Sequence, residues 1–219
     1  MKLRPHTLLI GITVVALVAS GASFAAPANL RPRDEANLVV SRFLVAAALG
    51  NRTTACSLFP SYGACVSTAR LSGPAEFRVT DIALSRSGRA LVTAVVGGSA
   101  GHFELERGDS GLVITGTSFA ATPRAGAPIR ARAAASLVVS RFLVAAAVGD
   151  ARTACALYPS YFPCGRHEPV AGSADFRLID VTLADPARPA VFANLNGLRG
   201  YFVLDRRSQS YVITSAALD

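Results

Sequence analysis

The stretch ANLVVSRFLVAAA at residues 36–48 recurs almost unchanged as ASLVVSRFLVAAA at residues 135–147. The same offset holds without a gap to the end of both segments, so that Cys56 corresponds to Cys155. A repeat of this length is too long for one solenoid unit and is typical of a whole small domain. The sequence therefore indicates a tandem duplication.

The repeated stretch is the centre of a predicted helix. Residues 34–49 contain no glycine or proline and end at Gly50, a residue type that often closes a helix. Apolar side chains cover most of the helix circumference, so we expect the helix to be largely buried. Residues 53–58, which end before Pro60, predict a second, short helix.

Short runs rich in β-branched and aromatic residues follow each predicted helix pair. Turn-forming residues separate the runs, including the glycine-rich segment 97–101, and such short connections predict an antiparallel meander. One face of the meander must bury against the long helix. The predicted strands are residues 77–84, 90–96, 102–107 and 112–117 in the first copy, and 176–183, 190–195, 201–205 and 211–215 in the second.

The predicted fold class is therefore α+β. It is a tandem duplication in which each copy packs a long helix and a short helix on a four-stranded antiparallel meander. The predicted division is a signal peptide at residues 1–26, a first repeat at 32–117, a linker rich in Ala, Pro and Arg at 118–130, and a second repeat at 131–219.

The N-terminus predicts export from the cytoplasm. Lys2 and Arg4 precede an uncharged apolar run, which ends in small residues around Ala25 and Ala26. This is the layout of a secretory signal peptide, and the run is short for a membrane span. We expect cleavage after one of these two alanines, with retention as an N-terminal anchor as the alternative. The predicted location is the cell envelope or the medium.

The helix motif Phe-Leu-x-Ala-Ala-x-x-Gly-[Asn/Asp] stands at residues 43–51 and 142–150, and each instance precedes a meander. This pattern resembles the nuclear transport factor 2-like (cystatin-like α+β) superfamily, and the resemblance covers nearly all of both copies. It implies helices that lean into a curved sheet and leave a cone-shaped cavity. The superfamily includes ketosteroid isomerase-like enzymes, binding modules and exported bacterial proteins, so the resemblance leaves function open.

The four cysteines form two Cys-x8-Cys pairs, one in each copy. In an exported protein an even number of cysteines at a repeated spacing predicts disulfides, here Cys56–Cys65 and Cys155–Cys164. Pairing between the copies is the alternative. A four-cysteine zinc site needs closer spacing, so we predict no metal.

Two tyrosines lie inside the cysteine loops at corresponding positions, Tyr62 and Tyr161. One interpretation is that each tyrosine closes the mouth of a ligand cavity. The other is that each ring packs beside its disulfide, with the hydroxyl group bonded to the backbone.

Charged residues interrupt apolar segments at corresponding positions in both copies. Arg42 and Arg141 lie in the predicted helices, and Asp81 and Asp180 lie in the first strands, where the alternation of apolar residues slips. A buried charge without a partner is costly. We therefore predict an Arg42–Asp81 and an Arg141–Asp180 pair at the helix–sheet junction, either as a structural ion pair or as an acid or anion site.

Catalytic motifs are absent from the sequence. No histidine recurs in both copies, since His102 corresponds to Tyr201 and His167 to Thr68. The sequence contains no Gly-x-Ser-x-Gly elbow and no glycine-rich phosphate loop. We therefore predict an exported, non-catalytic binding or interaction protein without a cofactor. The alternatives are a small-molecule enzyme of the ketosteroid isomerase-like type, with a cavity in one repeat, and a structural component of the envelope.

The expected partner is a small apolar ligand, or a protein or polymer of the envelope. The net charge of +8 comes from scattered arginines without a basic cluster interleaved with aromatics, which argues against nucleic acid. Membrane contact is expected only through an uncleaved signal peptide. We expect the two repeats to pack on each other as a pseudo-dimer through their sheets.

Overall fold

A computed structural model of the protein describes residues 30–109, 111–120, 130–166, 168–208 and 210–218. The predicted signal peptide and most of the predicted linker lie outside these residues. Within them the chain is α+β, with two four-stranded antiparallel sheets. No helix in the described ranges has the length and apolar character that a membrane span requires.

The N-terminal half, residues 30–120, begins with three helices: α1 (Pro32–Leu49), α2 (Arg52–Leu58) and α3 (Gly63–Val66). Four strands follow, which are β1 (Phe77–Leu84), β2 (Ala90–Val96), β3 (Ser99–Gly108) and β4 (Gly111–Phe119). The strands pair in chain order, and each pair is antiparallel.

The C-terminal half, residues 130–218, has nearly the same order of elements. It contains α4 (Ala131–Ala147), α5 (Ala151–Leu157) and a 3-10 turn at Phe162–Gly165. Its strands, again paired in chain order, are β5 (Phe176–Thr182), β6 (Ala190–Leu195), β7 (Leu198–Arg207) and β8 (Ser210–Leu218).

The ends of α1 follow from local chemistry. Pro32 begins the helix, where it is tolerated because N–H groups of the first turn have no acceptor within the helix and the missing N–H of proline costs no hydrogen bond. Gly50 closes the helix in the left-handed conformation, with φ of 70°, and the Asn51 N–H donates to the Ala46 carbonyl oxygen at 2.8 Å. The predicted glycine cap is thus confirmed.

The predicted turn at residues 97–101 is wrong in length. Only Gly97 and Gly98 form the turn, with φ of 57° and 83°, and Ser99 already pairs with Val96. Two successive residues with positive φ match the twist of a tight hairpin, so the chain reverses in two residues and β3 begins earlier than predicted.

Aromatic rings fill the space between each long helix and its sheet. Phe43 of α1 is 4% exposed and lies edge-on to three rings. Its centroid distances are 5.5 Å to Phe59, 5.3 Å to Tyr62 and 6.0 Å to Phe103. Phe142 of α4 makes the corresponding contacts with Tyr158, Tyr161 and Phe202.

The two halves contact each other through their helices and their first strands. α1 packs against α4, and β1 lies beside β5. Each long helix therefore has its own sheet on one side and the other helix on another. This double burial explains why apolar residues surround most of α1 and confirms the prediction of a largely buried helix.

Candidate functional site

A groove with a volume of about 250 Å³ lies between α1 and α4. Both arginines that interrupt the apolar helices, Arg42 and Arg141, open into it. The remaining lining residues are Val45, Ala46 and Leu49 from α1, Val144, Ala145 and Val148 from the end of α4, and Asn51, Thr54, Asp150 and Thr153 from the loops and short helices beyond.

Helical spacing places each arginine on the face that meets the other helix. Val45, Ala46 and Leu49 follow Arg42 at the third, fourth and seventh positions, which share one face of a helix. The same spacing recurs after Arg141 in α4. Because these apolar residues line the groove, the two arginines that share their faces lie at the boundary between the two halves.

Neither arginine of the groove has an acidic partner within the described residues. All acidic residues except Asp219 are described, and none forms an ion pair with Arg42 or Arg141. Burial lowers the pKa of both guanidinium groups from the usual value. A guanidinium nevertheless stays charged at neutral pH, so the groove holds two partly desolvated positive charges.

The rim of the groove carries the residues that cap the short helices. The Asn51 side chain accepts a hydrogen bond from the Thr54 N–H at 3.2 Å, and the Asp150 carboxylate accepts one from the Thr153 N–H at 3.0 Å. Asp150 is the single carboxylate among the described residues that line the groove. With two arginines against this one carboxylate, the lining residues carry a net positive charge.

The predicted Arg42–Asp81 and Arg141–Asp180 pairs are wrong. Asp81 pairs with Arg33, with the nitrogen and carboxylate oxygen 3.1 Å apart, and Asp180 pairs with Arg132. Arg33 lies in the first turn of α1, nine residues before Arg42. At a rise of about 1.5 Å per residue, Arg42 is roughly 14 Å farther along the helix axis.

A bulge explains where the two aspartates point. The register between β1 and β2 shifts between Val79 and Asp81, and the register between β5 and β6 shifts between Leu178 and Asp180. The slip in apolar alternation that marked these positions in the sequence is this bulge. It leaves the Asp81 side chain 66% exposed, within reach of the N-terminal turn of α1 and away from the groove.

The ion pair with Arg132 favours the ionised form of Asp180. The hydrogen bond from Arg132 lowers the pKa of this carboxyl group, a backbone hydrogen bond involving Val181 adds to the effect, and the charge of Arg78 contributes less. Asp180 therefore stays ionised and paired, and it lines a second cavity between the halves.

The tyrosines of the cysteine loops pack against the phenylalanines of the long helices. Tyr62 lies edge-on to Phe43, and Tyr161 lies edge-on to Phe142. The Tyr161 hydroxyl group also donates to the Ala171 carbonyl oxygen at 2.8 Å, and burial raises its pKa. Neither tyrosine lines the groove between the helices.

Both predicted disulfides form, Cys56–Cys65 and Cys155–Cys164, and the Cα atoms of each pair are 5.5 Å apart. Pairing between the halves does not occur. Each bridge ties a short helix, α2 or α5, to the turn that follows it. Sequence reasoning missed α3 and the 3-10 turn inside these loops, because four residues are too few to show a helical pattern.

Sequence reasoning also missed the partners of the aspartates, Arg33 and Arg132. A signal was present, because these two arginines occupy corresponding positions in the two halves, as Arg42 and Arg141 do. Either arginine of each helix could have been the partner of the aspartate. Deciding between them required knowing which face and which end of the helix lie next to the first strand.

Among the described residues, no group of three or more His, Cys, Asp or Glu side chains could hold a metal ion. The chain matches no protein-family model, and no curated protein is significantly similar to it.

Proposed function

We propose that the protein is an exported, non-catalytic binding protein, built from a tandem duplication, that holds an anionic group between its two long helices. Arg42 and Arg141 are the residues that bind the anion. The observation that carries the proposal is the pair of partly buried guanidinium groups in one groove without an acidic partner in the described residues. A carboxylate or phosphate would supply the missing counter-charge.

The position of the groove supports a role that depends on both halves. One arginine comes from each half, so the site requires the contact between α1 and α4. A pseudo-dimeric arrangement was expected to form through the sheets; the proximity of β1 and β5 supports it, and the packing of α1 against α4 adds a contact that was not expected. The helix-then-meander order of each half supports the proposed kinship with the nuclear transport factor 2-like superfamily.

Binding is favoured over the enzyme alternative by the packing inside each half. A ketosteroid isomerase-like site would need a cavity between the helix and its sheet. In the N-terminal half the rings of Phe43, Phe59 and Phe103 pack in that space. The unpaired charge lies between the halves instead, and we therefore propose an anionic ligand in place of the apolar ligand expected from the sequence.

The direct test is a phosphate titration of the ¹⁵N-labelled, disulfide-bonded protein, followed through the arginine Nε–Hε signals. We expect the signals of Arg42 and Arg141 to shift together and to saturate. Arg42→Gln should weaken phosphate binding by about tenfold, because a charge-assisted contact is lost. Arg33→Gln is the matched control, since Arg33 lies on the same helix but pairs with Asp81 at an exposed position.

Parallel, unsaturated shifts of all arginine signals would contradict the proposal, because they would indicate only general screening by salt. Native mass spectrometry of protein exported through its own N-terminal segment tests the proposed export and cleavage. A mass lower by residues 1–26 and by four hydrogens would support export with two disulfides, and a retained N-terminus would contradict cleavage.

A further inference from the structure

The contact between the halves has two ends, and they are built differently. At one end Asn37 of α1 is 2% exposed and reaches across to β5. Its side-chain nitrogen donates to the Ala174 carbonyl oxygen at 2.8 Å and to the Phe176 carbonyl oxygen at 3.0 Å. The amide thus occupies the space beside the first residues of β5 and joins the halves there.

At the other end Ser136 of α4 stands where Asn37 stands in α1. A serine is shorter than an asparagine and has no amide group, so it cannot make the two bonds. A cavity with a volume of about 250 Å³ lies at this end, bounded by the beginning of α4 and by β1 and β5. The residues that matter for its chemistry are Phe77, Arg78, Arg132, Ser136, Leu178 and Asp180.

The charges around this cavity are unequal in their pairing. Arg132 pairs with Asp180 and lies 3.5 Å from a carboxylate oxygen of Glu76, so two carboxylates share this one guanidinium group. Arg78 forms no ion pair with any described residue. The end that Asn37 occupies is called the filled end. The corresponding arginine there, Arg177, donates to the Thr80 carbonyl oxygen at 3.4 Å.

We propose that this cavity binds a free α-amino acid, and that the ligand's ammonium group takes the place that the Asn37 amide fills at the other end. The ammonium group would donate to the carbonyl oxygen of Phe77, which lines the cavity and is the counterpart of the Phe176 oxygen that Asn37 bonds. The ligand's carboxylate would pair with Arg78.

The size and the walls of the cavity agree with such a ligand. Its volume of about 250 Å³ accommodates an amino acid and lies below the roughly 300 Å³ at which pockets for drug-sized molecules begin. Phe77 and Leu178 supply an apolar wall for a small aliphatic side chain. This site is separate from the arginine groove and does not depend on anion binding there.

Isothermal titration of the disulfide-bonded protein with each of the common amino acids tests the proposal. We expect at least one amino acid with a small aliphatic side chain to bind with saturation, and we expect ethylamine and acetate, which each carry only one of the two charges, to bind at least about tenfold more weakly. If no amino acid binds at millimolar concentration, the proposal is overturned.

Two pairs of variants locate the site. Ser136→Asn supplies the amide from the chain itself and should abolish amino-acid binding, whereas Asn37→Ser should leave the original site intact. Arg78→Gln should weaken binding by at least about tenfold, and its matched control, Arg177→Gln at the filled end, should not. Binding that survives both Ser136→Asn and Arg78→Gln would overturn the assignment. Neither result affects the phosphate titration of the Arg42 groove, so the two proposals can fail separately.

Discussion

The two halves of the molecule agree in their elements and differ at the place where they meet. Arg42 and Arg141 enter the helix–helix groove from both sides, so this part of the contact is nearly symmetric. Beside it, Asn37 fills one end, and Ser136 leaves a cavity at the other. Residues shared by the halves thus build the fold, whereas the exchange of asparagine for serine at one helix position leaves a cavity at one end of the contact.

The largest loss of stability should come from removing the buried phenylalanine that both long helices share. Phe43→Ala and Phe142→Ala each remove a ring that is 4% exposed and contacts three others. Each substitution should lower the free energy of unfolding by about 3–5 kcal/mol. Urea unfolding followed by circular dichroism measures this, with Phe192→Ala on the exposed face of β6 as the control. A difference above about 2 kcal/mol between the two variants would show that the cores are not equivalent.

Removing a disulfide should cause the next largest loss in the free energy of unfolding. Replacing Cys56 and Cys65 together by alanine opens one loop, and replacing Cys155 and Cys164 opens the other. Each double variant should lose about 2–3 kcal/mol, because the unfolded chain regains the freedom of a loop of this length. The N-terminal loop encloses α3 and the C-terminal loop only a 3-10 turn, so unequal losses would assign part of the stability to that helix. Equal losses would leave the loop entropy as the common cause.

Local patterns predicted most of the fold, and long-range contacts account for what they missed. Segments of a few residues were enough to predict the helix that ends at Gly50, the strands and the disulfides. The disulfides followed from the repeated spacing of the cysteines. The partner of Asp81 depends on a bulge and on the phase of α1, which no local pattern reports. The groove could be predicted only as far as Arg42 and Arg141 themselves, because their meeting depends on which helix faces pack together. The mismatch between Asn37 and Ser136 was visible in the repeat, but its meaning was not, since the partners of Asn37 lie in the other half of the chain.

Exchanging Asn37 and Ser136 should change the stability of the two ends by unequal amounts. Asn37→Ser removes two hydrogen bonds to carbonyl oxygens of the other half and should cost about 1–3 kcal/mol of the free energy of unfolding. Ser136→Asn enters an existing cavity and should change stability by less than about 1 kcal/mol. The double variant should move the cavity to the other end. Urea unfolding checks the stabilities, and equal losses for the two single variants would contradict the asymmetry.

The smallest effect concerns the ion pair at the mouth of that cavity and appears only with pH. Because Arg132 lowers the folded-state pKa of Asp180, the pair contributes stability above the unfolded-state pKa of about 3.9 and loses it as pH falls through the folded-state value. Arg132→Gln should therefore lower the free energy of unfolding at pH 6, and the difference from the unaltered protein should shrink steadily below pH 4. The pair is more than one third exposed, so solvent screening holds the loss at pH 6 to less than about 1 kcal/mol. Unfolding by urea at a series of pH values measures it, with Arg188→Gln, which breaks an exposed pair with Asp205, as the control for a general loss of charge. A difference that persists unchanged at low pH would mean that Arg132 acts through packing on the cavity wall and not through its pairing with Asp180.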